Sequence, residues 1–312
     1  MPYLDSYKPK KLVKFYRNGL IEQEHFGFVK GVNFSIGEDY SYPFFMRSCA
    51  KPLQASLAID YGLDFNKKEI ALFCASHAGE EKHVKLAKQI LNKIGLDDNY
   101  LKCGIHNPLS QTAQVELIKS NLNPTVLHNN CSGKHILMLA LCKKNNWELG
   151  NYYLPEHPLQ IEIKKKIYEL CEVNENYPVT QDGCGVPICS MPLKNMLTGY
   201  LNLFLSEKYK IIRDSFLEYP DIIGGEGRLE TKIMTSSDEL IVKCGAGGIC
   251  IVINTKLSDG FIVKITDSNM QAREAVVLET LKKLGWCNIP YDNQIKTLHN
   301  EVVGYIDVSL DF

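Results

Sequence analysis

Apolar and polar positions follow two different periods along this chain, and the periods divide it into three parts. Residues 11–17 (KLVKFYR) and 26–33 are rich in β-formers and flank Asn18-Gly19, a dipeptide suited to the tight turn of a hairpin. The pattern then turns helical over residues 50–61, with Pro52 placed where a first helical turn tolerates it. Residues 81–94 put His83, Leu86, Ala87, Ile90, Leu91 and Ile94 on one helical face. Between these two, residues 69–75 (EIALFCA) form a short apolar run that reads as a strand or a buried segment. Helical spacing resumes at 135–144, 159–171 and 193–204. The end returns to strands at 239–244, 248–254 and 260–266, followed by a helix at 270–284 and a strand at 302–308.

Strands at both ends with helices between them predict an α+β fold. One antiparallel sheet is built from both chain ends with flanking helices, and the middle forms a mainly helical lobe. No repeat, low-complexity tract or Pro/Gly/Ser-rich linker divides the chain, so a single domain over 1–312 is expected. Within it, 1–75 and 235–312 make the sheet lobe and 76–234 the helical lobe, with a site where the two meet.

Composition narrows the function more than the fold. The 312 residues carry 35 Lys+Arg against 36 Asp+Glu, so no global charge favours nucleic acid or an acidic membrane. At 45% hydrophobic and 23% charged the chain is a folded globular protein. Residues 1–14 lack the apolar core of a signal peptide, and no apolar stretch is long enough to span a bilayer. Eleven scattered cysteines read as mostly buried, reduced thiols in a cytoplasmic protein.

Four segments carry reactive side chains. Arg47-Ser48-Cys49-Ala50-Lys51-Pro52 puts a serine and a lysine one turn apart at a helix start, where free backbone N–H groups can hold an oxyanion. A lysine serves as base only if its pKa falls: at ~10.4 about 0.1% is neutral near pH 7.5, at ~8 roughly a quarter. S-x-x-K alone is weak, since a surface serine beside a solvated lysine is the commoner meaning. Cys74-Ala75-Ser76-His77-Ala78-Gly79-Glu80-Glu81 is a polar turn before a helix, where Ser76 and Glu80 also look like a capping pair. Asn129-Asn130-Cys131-Ser132-Gly133-Lys134-His135 and Gln181-Asp182-Gly183-Cys184-Gly185-Val186-Pro187 gather Cys, His and Lys in turns. Two cysteines and a histidine suit a metal, although the spacing fits neither a zinc finger nor a zinc ribbon. Two glycine-dense turns, 224–228 and 243–248, match no nucleotide-binding loop. Lys264, in an apolar strand, is either an outward-facing residue or a buried functional amine.

Taken together, these segments resemble the Rhizobium-type (thermolabile, class 3) L-asparaginases. The resemblance rests on Arg47-Ser48-x-x-Lys51-Pro52, Ser76-His77-x-Gly79-Glu80, the Asn-Asn-Cys-Ser-Gly-Lys-His run at 129–135 and Asp182-Gly183-Cys184-Gly185-x-Pro187. Gly225-x-Gly227-Arg228, Lys243-x-Gly245-Ala246-x-Gly248 and Lys264-Ile265-x-Asp267 follow in the same order, so that about residues 11–310 are covered. It implies a fold similar to serine β-lactamases and glutaminases. It also implies two Ser–Lys pairs, Ser48 with Lys51 and Ser76 with Lys264. Zn²⁺ would be held by Cys131, Lys134 and Cys184, and Arg47, His77, Asp182, His135 and Gly245 would line the substrate pocket. A cytoplasmic homodimer acting on L-asparagine is what such a relative would be. The chain departs from the pattern at Cys49, where a small residue such as Ser is expected, and at Gly247, where Glu is expected.

The function expected is hydrolysis of L-asparagine to L-aspartate and ammonia through an acyl-serine intermediate. A glutaminase or another acyl-serine amidohydrolase is the alternative within that chemistry; the Ser-Asp-Asn and Lys-Thr-Gly motifs of β-lactamases are absent. A non-catalytic zinc- or amino-acid-binding relative is the alternative outside it.

Overall fold

Asn18 and Gly19, at φ 47° and 80°, close the hairpin between β1 (Lys10–Arg17) and β2 (Leu20–Gly31). In this computed structural model, which describes residues 4–39 and 41–312, that hairpin lies inside a larger sheet. The short β3 (Ser35–Ile36) folds back onto β2, and β4 (Phe44–Phe45) leads into a 3₁₀ turn at Arg47–Ala50 and then α1 (Lys51–Asp60).

Next comes α2 (Lys67–Cys74), where the apolar run had suggested a strand. A reciprocal cap decides for helix: the Asn66 side chain accepts from Glu69 N, and Asn66 N donates to the Glu69 carboxylate. The run is apolar on every side because α2 is packed between α1 and the helices that follow. The next four are α3 (Glu81–Lys93), α4 (Gln111–Lys119), α5 (Ser132–Asn145) and α6 (Pro158–Leu170), of which α3 and α5 pack against α2. On α3, His83, Leu86, Ala87, Ile90 and Leu91 are buried, the face its periodicity marks.

A second small sheet, in the order β4-β6-β5, is completed by β5 (Val179–Gln181) and β6 (Pro187–Met191). The helical part ends with α7 (Leu193–Phe204), α8 (Lys210–Glu218), α9 (Pro220–Ile223) and α10 (Leu229–Thr235). The chain then returns to the large sheet through β7 (Leu240–Gly245), β8 (Ile249–Asn254) and β9 (Asp259–Ile265). Helix α11 (Met270–Lys283), β10 (Gln294–Lys296) and β11 (Val302–Val308) finish it.

The large sheet is antiparallel in the order β10-β11-β1-β2-β9-β8-β7, with β3 on β2. Both chain ends meet at its centre, where Phe15 pairs with Ile306 and Val29 with Val263. This is the α+β architecture that strands at both termini implied. Every residue of β7 and β8 is buried, because α8 and α10 pack on β7 while α7 and α11 pack on β8. Such strands read as unbroken apolar runs, and a lysine among them, Lys243, is conspicuous. All eleven cysteines are free thiols and ten are buried. No helix among the described residues is long and apolar enough to cross a membrane.

Candidate active site

Three elements bring the site together: the 3₁₀ turn and start of α1, the segment after α2, and β7. Pro52 sits in the first turn of α1, so Lys51 projects from a helix start that needs no proline N–H. Its amine runs inward, 1% exposed, and donates to Ala75 O at 2.6 Å, Asn130 O at 2.8 Å and Ser76 Oγ at 3.1 Å. Lys243, 0% exposed, reaches the same hydroxyl from β7, donating to Ser76 Oγ at 3.0 Å and to Cys244 O at 2.9 Å.

The family resemblance implied a pairing of Ser76 with Lys264, and the geometry corrects it. Lys264 Nζ lies on Gly247 O (2.5 Å) and Ile265 O (2.8 Å), and the second lysine at Ser76 is Lys243. Both lysines follow apolar stretches on strands of one sheet, so sequence alone does not separate them. Strand order does: β7 packs against the Arg47–Ala50 turn, and β9, which carries Lys264, lies two strands away. Ser48 makes no side-chain hydrogen bond to Lys51 among the described residues, although Lys51 N bonds to Ser48 O.

Burial lowers the Lys51 pKa to about 8; Cys131 opposes that shift and Lys243 adds to it. The low value matters because an amine must lose its proton before it can accept one.

Ser48 faces a cavity of about 240 Å³, together with Arg47, His106, Asn129, Asn130, Cys131, Asp182, Gly183, Cys184 and Ala246. The larger cavities, lined by residues drawn from 229–292, 155–189 and 63–144, hold none of these groups. Arg47 adopts a left-handed φ of 50°, a conformation that side chains other than glycine take at some cost. From it, Nε meets Asp182 Oδ1 at 2.9 Å, while Lys134 Nζ stands 3.7 Å from Asp182 Oδ2. Burial raises the Asp182 carboxyl, but Lys134 and then Arg47 outweigh it, so the net shift is downward.

Cys131, Asp182 and Cys184 place their donor atoms within 4.8 Å of one another. The Cys131 thiol is driven well down by its hydrogen bond to Cys184 and by Lys51 and Lys134, against the effect of burial. Cys184 moves upward through the same contact and through burial. Burial works against the charge of Lys134, but Cys131, Cys184 and Asp182 reverse this and raise its pKa. Two sulfurs and a carboxylate fit zinc by donor type. Lys134 as a further ligand would first have to give up a proton that these same groups stabilise.

The remaining sequence candidates are placed differently. His77 is fully buried: its Nδ1 accepts from Gly79 N and its Nε2 bonds to Ser132 Oγ at 2.9 Å, so it braces the loop behind Ser76. Burial and then His83 hold it well below the ordinary histidine range. His135 is buried with Nδ1 on Tyr152 Oη at 2.6 Å, and it does not line the cavity. Gly245 ends β7 where a Cβ would meet Ile249 Cγ2 at 2.5 Å. Glu80, and not Ser76, caps α3. Sequence reasoning passed over His106, Asn130 and Ala246 as cavity groups; Asn130 and Ala246 lie within motifs already singled out.

The L-asparaginase II family model matches residues 13–307, nearly the whole chain. Among solved structures, a β-lactamase from Mycobacterium bovis is similar at 13% identity, over 90% of this chain and 98% of that one, with a TM-score of 0.39. No curated protein matches.

Proposed function

The chain belongs to the L-asparaginase II family, and on that premise we propose that it is an amidohydrolase converting L-asparagine to L-aspartate and ammonia through an acyl-serine intermediate. The observation that carries the proposal is the Ser76 hydroxyl between two buried lysine amines, beside a polar cavity lined by Ser48. A buried hydroxyl joining two amines is arranged to move protons, and a serine at the cavity wall is arranged to meet a substrate.

In this reading Ser48 Oγ attacks the side-chain amide carbon and its proton passes to neutral Lys51. The Ser76–Lys243 pair delivers a proton to the departing nitrogen, so that ammonia leaves and an ester on Ser48 remains. Water then hydrolyses the ester and the proton returns to Ser48. The backbone amides of Ser48 and Ala246 would hold the oxyanion, since both residues line the cavity. Arg47 and Asp182, paired in the free protein, would open onto the α-carboxylate and α-ammonium of the amino acid. A second reading makes Ser76 the nucleophile, because its hydroxyl, unlike that of Ser48, already bonds to the Lys51 amine.

Cys131, Cys184 and Asp182, joined by Lys134 once deprotonated, would hold a zinc ion. Bound there, zinc would supply a fixed positive charge that orients the amino-acid end of the substrate.

Fixed anchors at the amino-acid end set a fixed depth for the amide, and one extra methylene moves it out of line with the nucleophile. Purified protein should therefore release ammonia from L-asparagine roughly 100-fold faster than from L-glutamine. Equal rates would argue for a broader amidohydrolase, and no release from either for a binding protein.

A further inference from the structure

The turn after β7 brings Ala246 to the cavity wall, and the carbonyls on either side of it are each taken by a cation from a different element. Arg273 on α11, 7% exposed, donates from Nη1 to Gly245 O at 3.2 Å. Lys264 on β9 donates to Gly247 O and, with the same amine, to Ile265 O, which ties the turn to the neighbouring strand. Gly247 and Gly248 have φ of 76° and 73°, a backbone that glycine enters and leaves freely. A Cβ on Gly247 would meet nothing within 4 Å, so packing does not hold that residue. The far end of the turn is tied by the backbone bond from Ile265 N to Gly248 O (2.9 Å), and the two cations take the carbonyls that flank Ala246.

Peptide planarity turns this restraint into a direction. The C=O of Gly245 and the N–H of Ala246 belong to one trans peptide plane and point opposite ways. Fixing the Gly245 oxygen on Arg273 therefore fixes where the Ala246 N–H points. Lys264 holds the peptide two further on, between Gly247 and Gly248, and so steadies the turn that carries Ala246 without itself setting the Ala246 N–H. Neither cation lines the cavity, so neither is placed to touch substrate. Glu230, buried to 1% exposure, is among the anionic neighbours that favour the charge on Arg273.

We propose that Arg273 and Lys264 are positioning residues: Arg273, on Gly245 O, aims the Ala246 amide into the Ser48 cavity, and Lys264, on Gly247 O, holds in place the turn that carries it. The proposal rests on the amide-hydrolase reading for its effect on rate, but not for its effect on the turn.

The test uses the full chain with Lys264→Met, Lys264→Arg, Arg273→Met and Arg273→Lys, read by steady-state kinetics on L-asparagine and by hydrogen exchange of the substrate-free protein. Losing the aim of one oxyanion donor should lower kcat roughly 10- to 100-fold in the methionine variants, with KM within about threefold. Lys264→Arg should recover most of the loss. Amides of residues 245–249 should exchange about tenfold faster in Lys264→Met, with α3 and α5 unchanged. Unchanged exchange in the turn, or loss of kcat only with exchange raised throughout the protein, overturns the proposal. If the unsubstituted protein hydrolyses no amide, the hydrolase reading fails by itself. Exchange in the turn then decides the clamp, faster in Lys264→Met supporting it and unchanged overturning it. Should Arg273→Met fail to fold beside buried Glu230, Lys264→Met carries the test alone.

Discussion

Lys51 and Lys243 direct their amines at one oxygen atom, Ser76 Oγ, from 3.1 and 3.0 Å, inside a site that excludes solvent from both side chains. Like charges that close favour the loss of one proton, and a hydroxyl between them can pass that proton on. On the proposed mechanism Lys243, and not Lys264, belongs to the proton relay. Lys243→Met should lower kcat on L-asparagine by roughly 10³-fold, within the range for loss of an acid–base group. Lys264→Met should fall short of that loss by at least tenfold; equal losses would contradict the assignment.

The pH dependence follows from Lys51. Activity should rise with pH through an apparent pKa of about 8 in kcat/KM as that amine becomes neutral. Lys264 has a pKa lowered to about 8 by burial as well, so the two must be separated. The limb should persist in Lys264→Met, and its disappearance there would assign it to Lys264.

Stability should follow the same group with a definite sign. The Lys51 pKa is lower in the folded chain than in the unfolded one, so the unfolded state binds more protons between about pH 8 and 10.5. The burial penalty is complete below pH 8 and is released as pH rises across that window, which alone raises stability by roughly 3 kcal/mol. Lys51→Met, whose side chain carries no charge, should reduce this rise in denaturant titrations and leave the part that Lys264 contributes over the same window; an unaltered rise would contradict it.

Removing a thiol should uncouple the metal from the fold. Cys131→Ser should lower bound zinc below the at most about one ion per chain expected otherwise, and should weaken substrate affinity with little change in melting temperature. Full zinc retention in a Cys131→Ser, Cys184→Ser double variant would remove these residues as ligands.

The helix that the apolar pattern missed gives a separate test. Asn66→Ala deletes half of the capping box that makes residues 67–74 helical, and should destabilise the protein by about 1 kcal/mol. No loss would mean that packing alone selects the helix.

How far the sequence was legible differs between elements for physical reasons. The Asn18-Gly19 hairpin and the amphipathic α3 declare themselves through turn chemistry and periodicity, which are local. Helix α2 did not, because a helix buried all round has no polar face and the cap that starts it lies outside the apolar run. The short β5 and β6 are held by pairing with each other and with β4, information spread over about 140 residues. At the site, the S-x-x-K turn and the cysteine-bearing turns were visible as clusters of reactive types. The exchange of Lys264 for Lys243 was not, since which lysine faces Ser76 is a property of strand order and register, not of either strand's composition.

The central claim is that Ser48 forms the acyl bond while Ser76 serves the two lysines. Mass spectrometry of protein acid-quenched during turnover of L-asparagine, or trapped with a slow acylating analogue, tests it most directly. The account predicts an acyl adduct on the peptide containing Ser48, absent from Ser48→Ala and accumulating slowly in Ser76→Ala. An adduct on Ser76, or near-normal turnover by Ser48→Ala, would contradict it.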